Sequence, residues 1–195
     1  MARSEEQNRV ARERARESIL SSAIELFADR GVHGATIAEI TGRAGVAQGL
    51  VNYHFGGKDQ LVGEIVDRWF RLLIGFPTAR SGAADERLRG IVDSSLAAAS
   101  GHLLLHRAVL TMQQDPAQLR FFAEAAARNA EGVAAAELAV RAIFVERGAA
   151  DPALEEVMLR TTLEGIVLKY AATGGAFPLD AARGWVLGLY GLDAE

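Results

Sequence analysis

Residues 36–58, TIAEITGRAGVAQGLVNYHFGGK, constrain this chain more tightly than any other stretch. Ile37, Ile40 and Ala44 recur on one helical face, and Thr36 before them is a residue type whose hydroxyl accepts from an otherwise orphaned backbone amide. Gly45 follows directly. Glycine enters the left-handed conformation without steric cost, so a helix is predicted to stop there and turn within about three residues. Val46 is the apolar plug of that turn. A second short helix is predicted from about Ala47 to Phe55, with Val51 and Phe55 spaced i, i+4 on the face that packs against its predecessor. Gln48, Gly49, Asn52 and Tyr53 are left pointing outward. Two short helices about a glycine turn, the second with a polar outer face, form the pattern by which a helix enters a major groove of DNA.

The rest of the chain reads as helix too. Half of its 195 residues are hydrophobic, only four are proline, and aromatic residues make up 7%, a balance that favours an all-α fold with a sizeable core. There is no cysteine, which excludes disulfides and thiolate chemistry and agrees with a reducing compartment. The charged start does not resemble a signal peptide, and no apolar run approaches the roughly 18 residues that span a bilayer. The expectation is a cytoplasmic protein with no membrane partner. Net charge is −4. Residues 1–58 hold eight Lys/Arg against seven Asp/Glu, so the excess acid lies in the remainder. Charge therefore permits nucleic-acid binding but does not argue for it.

Along the chain, residues 1–17 mix Arg and Glu and are expected to be frayed, or else a salt-bridged helix start. Ile19, Ala23, Leu26, Phe27 and Val32 make a buried stripe, ended by Gly31, with Gly34 keeping the connection tight. After the two short helices, a longer one is predicted from Lys58 to about Gly75, stopped by Phe76-Pro77. A loop of small residues, 78–84, leads to helices at 85–100 and 102–114. Asp115-Pro116 and Asp151-Pro152 are cap-then-proline openings of two long helices, to about Arg147 and Thr173. A last helix runs from Asp180 to about Tyr190. That gives about nine helices, no strand and no internal repeat. The expected division is an N-terminal three-helix bundle with the helix-turn-helix, 1–57, and a C-terminal helical ligand-binding and dimerisation domain, 58–195.

The texts ILSSAIELFADRGVHGATIAEI and AGVAQGLVNYHFGGKDQLV resemble the tetracycline-repressor (TetR) family of bacterial transcription regulators over about the first 70 residues. The resemblance implies a homodimer that places two recognition helices in successive major grooves of a pseudo-palindromic operator and is released by a small molecule bound in the C-terminal domain. It implies no cofactor. Leu50 and Asn52 depart from residues common at those positions in the family. Asn can bond adenine in bidentate fashion, whereas Leu offers only apolar contact with a thymine methyl, so the docking mode carries over and an operator sequence does not. The segment LEGIVLKYAATGGAFPLDAARGWVLGLY looks like the C-terminal part of the choline/betaine-pathway repressor branch.

Candidate residues follow. For DNA they are Thr36, Gln48, Gly49, Asn52, Tyr53, His54 and Lys58, with Tyr53 and His54 matching family positions used for backbone contacts. Lys58 opens a helix where a cation and free amides can meet a phosphate. The arm arginines Arg3, Arg9, Arg12, Arg14 and Arg16 could follow the DNA backbone or enter a minor groove. For an effector they are Trp69, Phe70, His106, Met112, Phe122 and Tyr170, each also readable as plain core. His102 and His106 share a helical face, but without an HExxH pattern or cysteine they are not expected to hold a metal. For a four-helix dimer interface they are Thr162, Gly165 and Ile166 with Gly184, Trp185 and Gly188, because glycines inside a short helix suit close approach of another helix. No nucleophile–base constellation supports the alternative of an all-α enzyme, and the outward polar face argues against an adaptor that binds only protein.

Overall fold

In a computed structural model, the backbone is described for residues 2–75 and 82–192, with side chains from residue 5. The expected stop at Phe76-Pro77 and most of the loop 78–84 lie outside the described residues. Among those described there are nine α-helices, two single 3-10 turns and no strand. No helix is long and apolar enough to cross a membrane. Two compact units form, one from the residues up to Arg68 with Ala108–Ala125, the other from Trp69–Arg107 with the residues from Ala126 onward.

The first unit contains α1 (Ala2–Arg30), α2 (Ile37–Ala44), α3 (Gly49–Phe55) and the first part of α4 (Lys58–Ile74). Its core is the predicted α1 stripe, with Ile19, Ala23 and Phe27 fully enclosed together with Ile40, Val51, Leu61 and Ile65. Each such aliphatic side chain contributes about 1.5–3 kcal/mol through its burial. The end of α6 (Leu103–Gln113) and the start of α7 (Leu119–Glu146) complete this unit, adding Val109, Met112 and Phe121.

Two expectations need correction. The first residues are not frayed: α1 begins at Ala2. Arg9 bonds Glu6 at 2.6 Å and Glu13 at 2.9 Å, three and four residues away on the same helix. Further along, Arg16 reaches Glu64 at 3.1 Å and Glu17 reaches Arg68 at 2.8 Å, tying α1 to α4. Exposed pairs contribute little each, but they sit at the spacing that continues a helix already started by the core. Secondly, Pro116 does not open a long α-helix. Residues Pro116–Gln118 form one 3-10 turn capped by Asp115, whose carboxylate accepts from the Ala117 amide at 3.0 Å, and α7 starts at Leu119.

The second unit is built from α5 (Ala84–Gly101), most of α7, α8 (Pro152–Thr173) and α9 (Leu179–Leu189), with parts of α4 and α6. Leu88, Val92 and Leu96 pack with Ile143, Phe144, Leu159, Leu163, Val186 and Leu187. Charged clasps hold its surface. Arg183 bonds Asp93 in bidentate fashion at 2.6 and 3.0 Å, Arg87 pairs with Glu146, and Arg147 pairs with Asp85.

Glycine is required at two turns of the first unit for different reasons. Gly45 has φ 68°, with nothing within 4 Å of where a Cβ would stand, so its penalty for substitution is conformational only. At Gly34 a Cβ would meet the Arg30 carbonyl oxygen at 2.4 Å. Gly45→Ala is therefore expected to destabilise by about 1–2 kcal/mol, and Gly34→Ala by more, because backbone must move. Urea unfolding of the two variants checks this order, and the reverse order contradicts it.

Candidate nucleic-acid interface

The site begins with how α2 is held. Thr36 is its N-cap: Oγ1 accepts from the Glu39 amide at 3.2 Å, while the Glu39 carboxylate accepts from the Thr36 amide at 2.8 Å. This reciprocal capping box satisfies two orphan donors. The Thr36 amide, then its hydroxyl, hold the Glu39 carboxyl below the usual carboxylate range. Arg30 of α1 bonds Glu39 at 3.1 Å, and Arg43 at the other end of α2 bonds Glu25 of α1 at 3.0 Å.

The far end of α2 turns at Gly45, as the sequence predicts. The Val46 amide donates to the Thr41 carbonyl at 3.0 Å, and the Ser18 hydroxyl of α1 donates to the Ala44 carbonyl at 3.0 Å. Gln48 is already helical in backbone, and α3 runs from Gly49 to Phe55, ending at Gly56 with φ 83°. Val51 is fully buried, and the Arg16 guanidinium lies 5.1 Å from the centre of the half-buried Phe55 ring. Gln48, Gly49 and Asn52 are exposed, and Tyr53 is 65% exposed.

Three of the seven DNA candidates stand apart from that face. His54 is half-buried, its ring edge-on to Tyr53 at 4.9 Å. Burial, and then the charges of Arg16 and Arg12, push its pKa below the ordinary histidine value. Lys58 donates to the Ala35 carbonyl at 2.5 Å, which sets its ammonium beside the Thr36 cap. An ammonium has three donors, and one carbonyl leaves two for a phosphate. Thr36 itself is engaged with Glu39.

The effector candidates are not all in one unit. The Trp69 indole N–H donates to His106 Nδ1 at 3.3 Å, and the Trp69 and Phe70 rings meet edge to face at 5.3 Å. His106 is 3% exposed, and burial, then the charge of His102, lower its pKa to about 4 against the nearby Ala98 carbonyl. With Nδ1 accepting, the neutral ring carries its proton on Nε2, which is buried without a hydrogen-bond partner. Tyr170 is half-buried on α8 of the same unit. Met112 and Phe122 belong to the first unit, where Met112 is core.

Of the dimer candidates, Thr162 and Ile166 are half-buried, Gly165, Gly184 and Gly188 are exposed, and Trp185 is 60% exposed. Nothing lies within 4 Å of a Cβ built at Gly165 or Gly184, so no helix of the same chain occupies that space among the described residues. Leu154, Met158 and Leu189 are exposed on the same two helices.

Sequence reasoning missed Ser18, Glu39 and Arg43 as positioning groups. The Thr36-x-x-Glu39 spacing is itself a cap signature and was readable. Ser18 and Arg43 act across elements, and no local pattern marks them.

Residues 19–65 match the model of the bacterial regulatory proteins of the tetR family. An HTH-type transcriptional repressor of Mycobacterium tuberculosis is 48% identical over 56 residues, covering 29% of this chain and 30% of the relative. The regulator BetI 1 of Chromohalobacter salexigens is 35% identical over 85 residues, covering 41% and 42%. The chain thus spans under half the length of these curated relatives, and the similarity does not single out the choline/betaine branch. In fold, the chain is similar over 89% of its length to the transcriptional regulator FadR of Bacillus subtilis, solved with stearoyl-CoA, covering 96% of that chain at TM-score 0.69 and 18% identity. The capped α2, the left-handed turn and the outward-facing α3 thus all lie within the stretch that matches the tetR-family model, residues 19–65.

Proposed function

We propose that this protein is a ligand-responsive transcriptional repressor, a homodimer that binds a pseudo-palindromic operator in the cytoplasm and releases it when a small molecule binds. The observation that carries the reading is the exposed polar face of α3, held on a matched tetR-family domain by a buried Val51. Gln48 and Asn52 are the base-reading candidates on that face, Gly49 lets the backbone approach, and Tyr53 contacts the DNA backbone. Lys58 supplies a phosphate contact beside α2. The division of labour is a reader in 1–57 and an effector and dimer region in 58–195.

The dimer reading is supported by the exposed apolar and glycine surface of α8 and α9 around Gly165, Gly184, Trp185 and Gly188. Thr162 and Ile166 flank it on α8. The effector reading is supported by Trp69, Phe70 and His106, which meet in the second unit, with Tyr170 a further candidate there. The unpartnered Nε2–H of His106 is a donor for an effector's acceptor group. A similar fold holds stearoyl-CoA in the Bacillus subtilis FadR structure. The effector need only favour a state whose recognition helices no longer stand about 34 Å apart. Helix α4 is the lever we assign, since it opens at Lys58 and continues past the reader.

Lys58→Ala is expected to weaken binding to every duplex alike and to lower the salt slope by about 0.9, as loss of one phosphate contact should. Asn52→Ala should instead cost about 1–3 kcal/mol on the preferred sequence and little on unrelated DNA. Fluorescence anisotropy across a salt series separates the two. For the dimer, Trp185→Glu should give a folded monomer in sedimentation velocity at micromolar concentration; an unchanged sedimentation coefficient contradicts the assignment. His106 sets a pH dependence. Its folded pKa lies below the ordinary value of 6.5, so the unfolded chain binds the extra proton between about pH 6.5 and 4. Its contribution is full above that window and declines as pH falls through it, by on the order of 3 kcal/mol for a shift from 6.5 to about 4. Urea unfolding of wild type and His106→Gln from pH 7 to 4 should show a steeper loss of stability in wild type, and equal slopes contradict the assignment.

A further inference from the structure

Helix α1 is longer than its core role requires. Its fully buried stripe starts at Ile19, yet the helix extends back to Ala2. Between this overhang and α3 lies an open groove of about 500 Å³. Ala11 and Ala15 of α1 and Leu50 of α3 give the apolar part of its lining. The two alanines stand i, i+4 on one helical face, where larger side chains would fill the space. Asn8 and Arg12 from α1, with Tyr53 and His54 from α3, give the polar part, and Glu5 lies at the same lining.

Arg12 differs from Arg9 and Arg16, which lie three and four residues away on the same helix. Arg9 is held by Glu6 and Glu13, and Arg16 by Glu64 and by the Phe55 ring. Arg12 is exposed and makes no hydrogen bond or ion pair among the described residues. A guanidinium without a carboxylate is ready for bidentate bonding to a phosphate. The apolar lining suits a deoxyribose. The groove is also continuous with the reading face, because Tyr53 belongs to both.

We propose that this groove seats one sugar–phosphate strand of the operator, with Arg12 taking a phosphate and the α1 overhang serving as a second arm of the reader. The proposal rests on the DNA-binding reading above. It assigns Arg12 a positioning contact that is blind to sequence, and it gives Glu5 the opposite sign, since a carboxylate there repels the strand.

The test uses the full chain, a duplex that the protein itself selects from a random pool, and an unrelated duplex. Arg12→Ala is expected to weaken binding several-fold to both duplexes and to reduce the salt slope by about 0.9. Arg12→Lys should keep the slope, which separates charge from any loss of helix in α1. Glu5→Gln should tighten binding. A scan with methylphosphonates, which neutralise single phosphates, should reveal in each half-site one position that weakens wild type and leaves Arg12→Ala unaffected. If wild type binds while Arg12→Ala keeps the same affinity and slope, or if Glu5→Gln weakens binding, the groove proposal is overturned and the DNA reading stands. If wild type binds no duplex at low salt, both fall.

Discussion

How α2 ends determines where the outward face of α3 points. Helix α3 has only seven residues, too few for a helix to persist in water by its own hydrogen bonds. Its orientation is inherited. The left-handed Gly45 reverses the chain, the Val46 amide closes on the Thr41 carbonyl, and Ser18 of α1 takes up the Ala44 carbonyl that the helix end leaves open. Val51 then fixes the rotation of α3 by filling the core. With one face of α3 committed in this way, Gln48, Asn52 and Tyr53 have nowhere to go but outward.

The same economy governs charge. The first 58 residues are close to neutral in count, yet their cations are not interchangeable. Arg9, Arg16, Arg30 and Arg43 are engaged with carboxylates that shape α1 and α2. Lys58 is bonded to a carbonyl rather than a carboxylate, so no acidic side chain offsets its charge while its position is fixed. Counting Lys and Arg in the sequence treats all of these alike. What a duplex would meet is the small subset without an anionic partner, placed around α3.

Much of this was legible in the residues. The bounds of α2 and α3 follow from Thr36, Gly45 and Gly56, because capping and left-handed turns are local chemistry. The proline-capped start of α8 is equally local, with Asp151 accepting from the Leu154 amide at 3.0 Å. The α1 overhang was less legible: its ion pairs matter only once the core has started the helix, and a composition reading sees just mixed charge. Aromatic and methionine residues proposed for an effector were the least legible. Met112 is plain core while Trp69 is hydrogen-bonded to His106, and no sequence pattern distinguishes a side chain that fills a core from one that borders a site.

The central claim is that the outward face of α3 meets DNA as one of a symmetric pair. A hydroxyl-radical footprint of the full-length protein on a duplex it has itself selected tests this most directly. The account predicts two protected patches on one face of the duplex, related by two-fold symmetry and centred about one helical turn or a whole multiple apart. A single patch, patches on opposite faces, or no protection at low salt would contradict it.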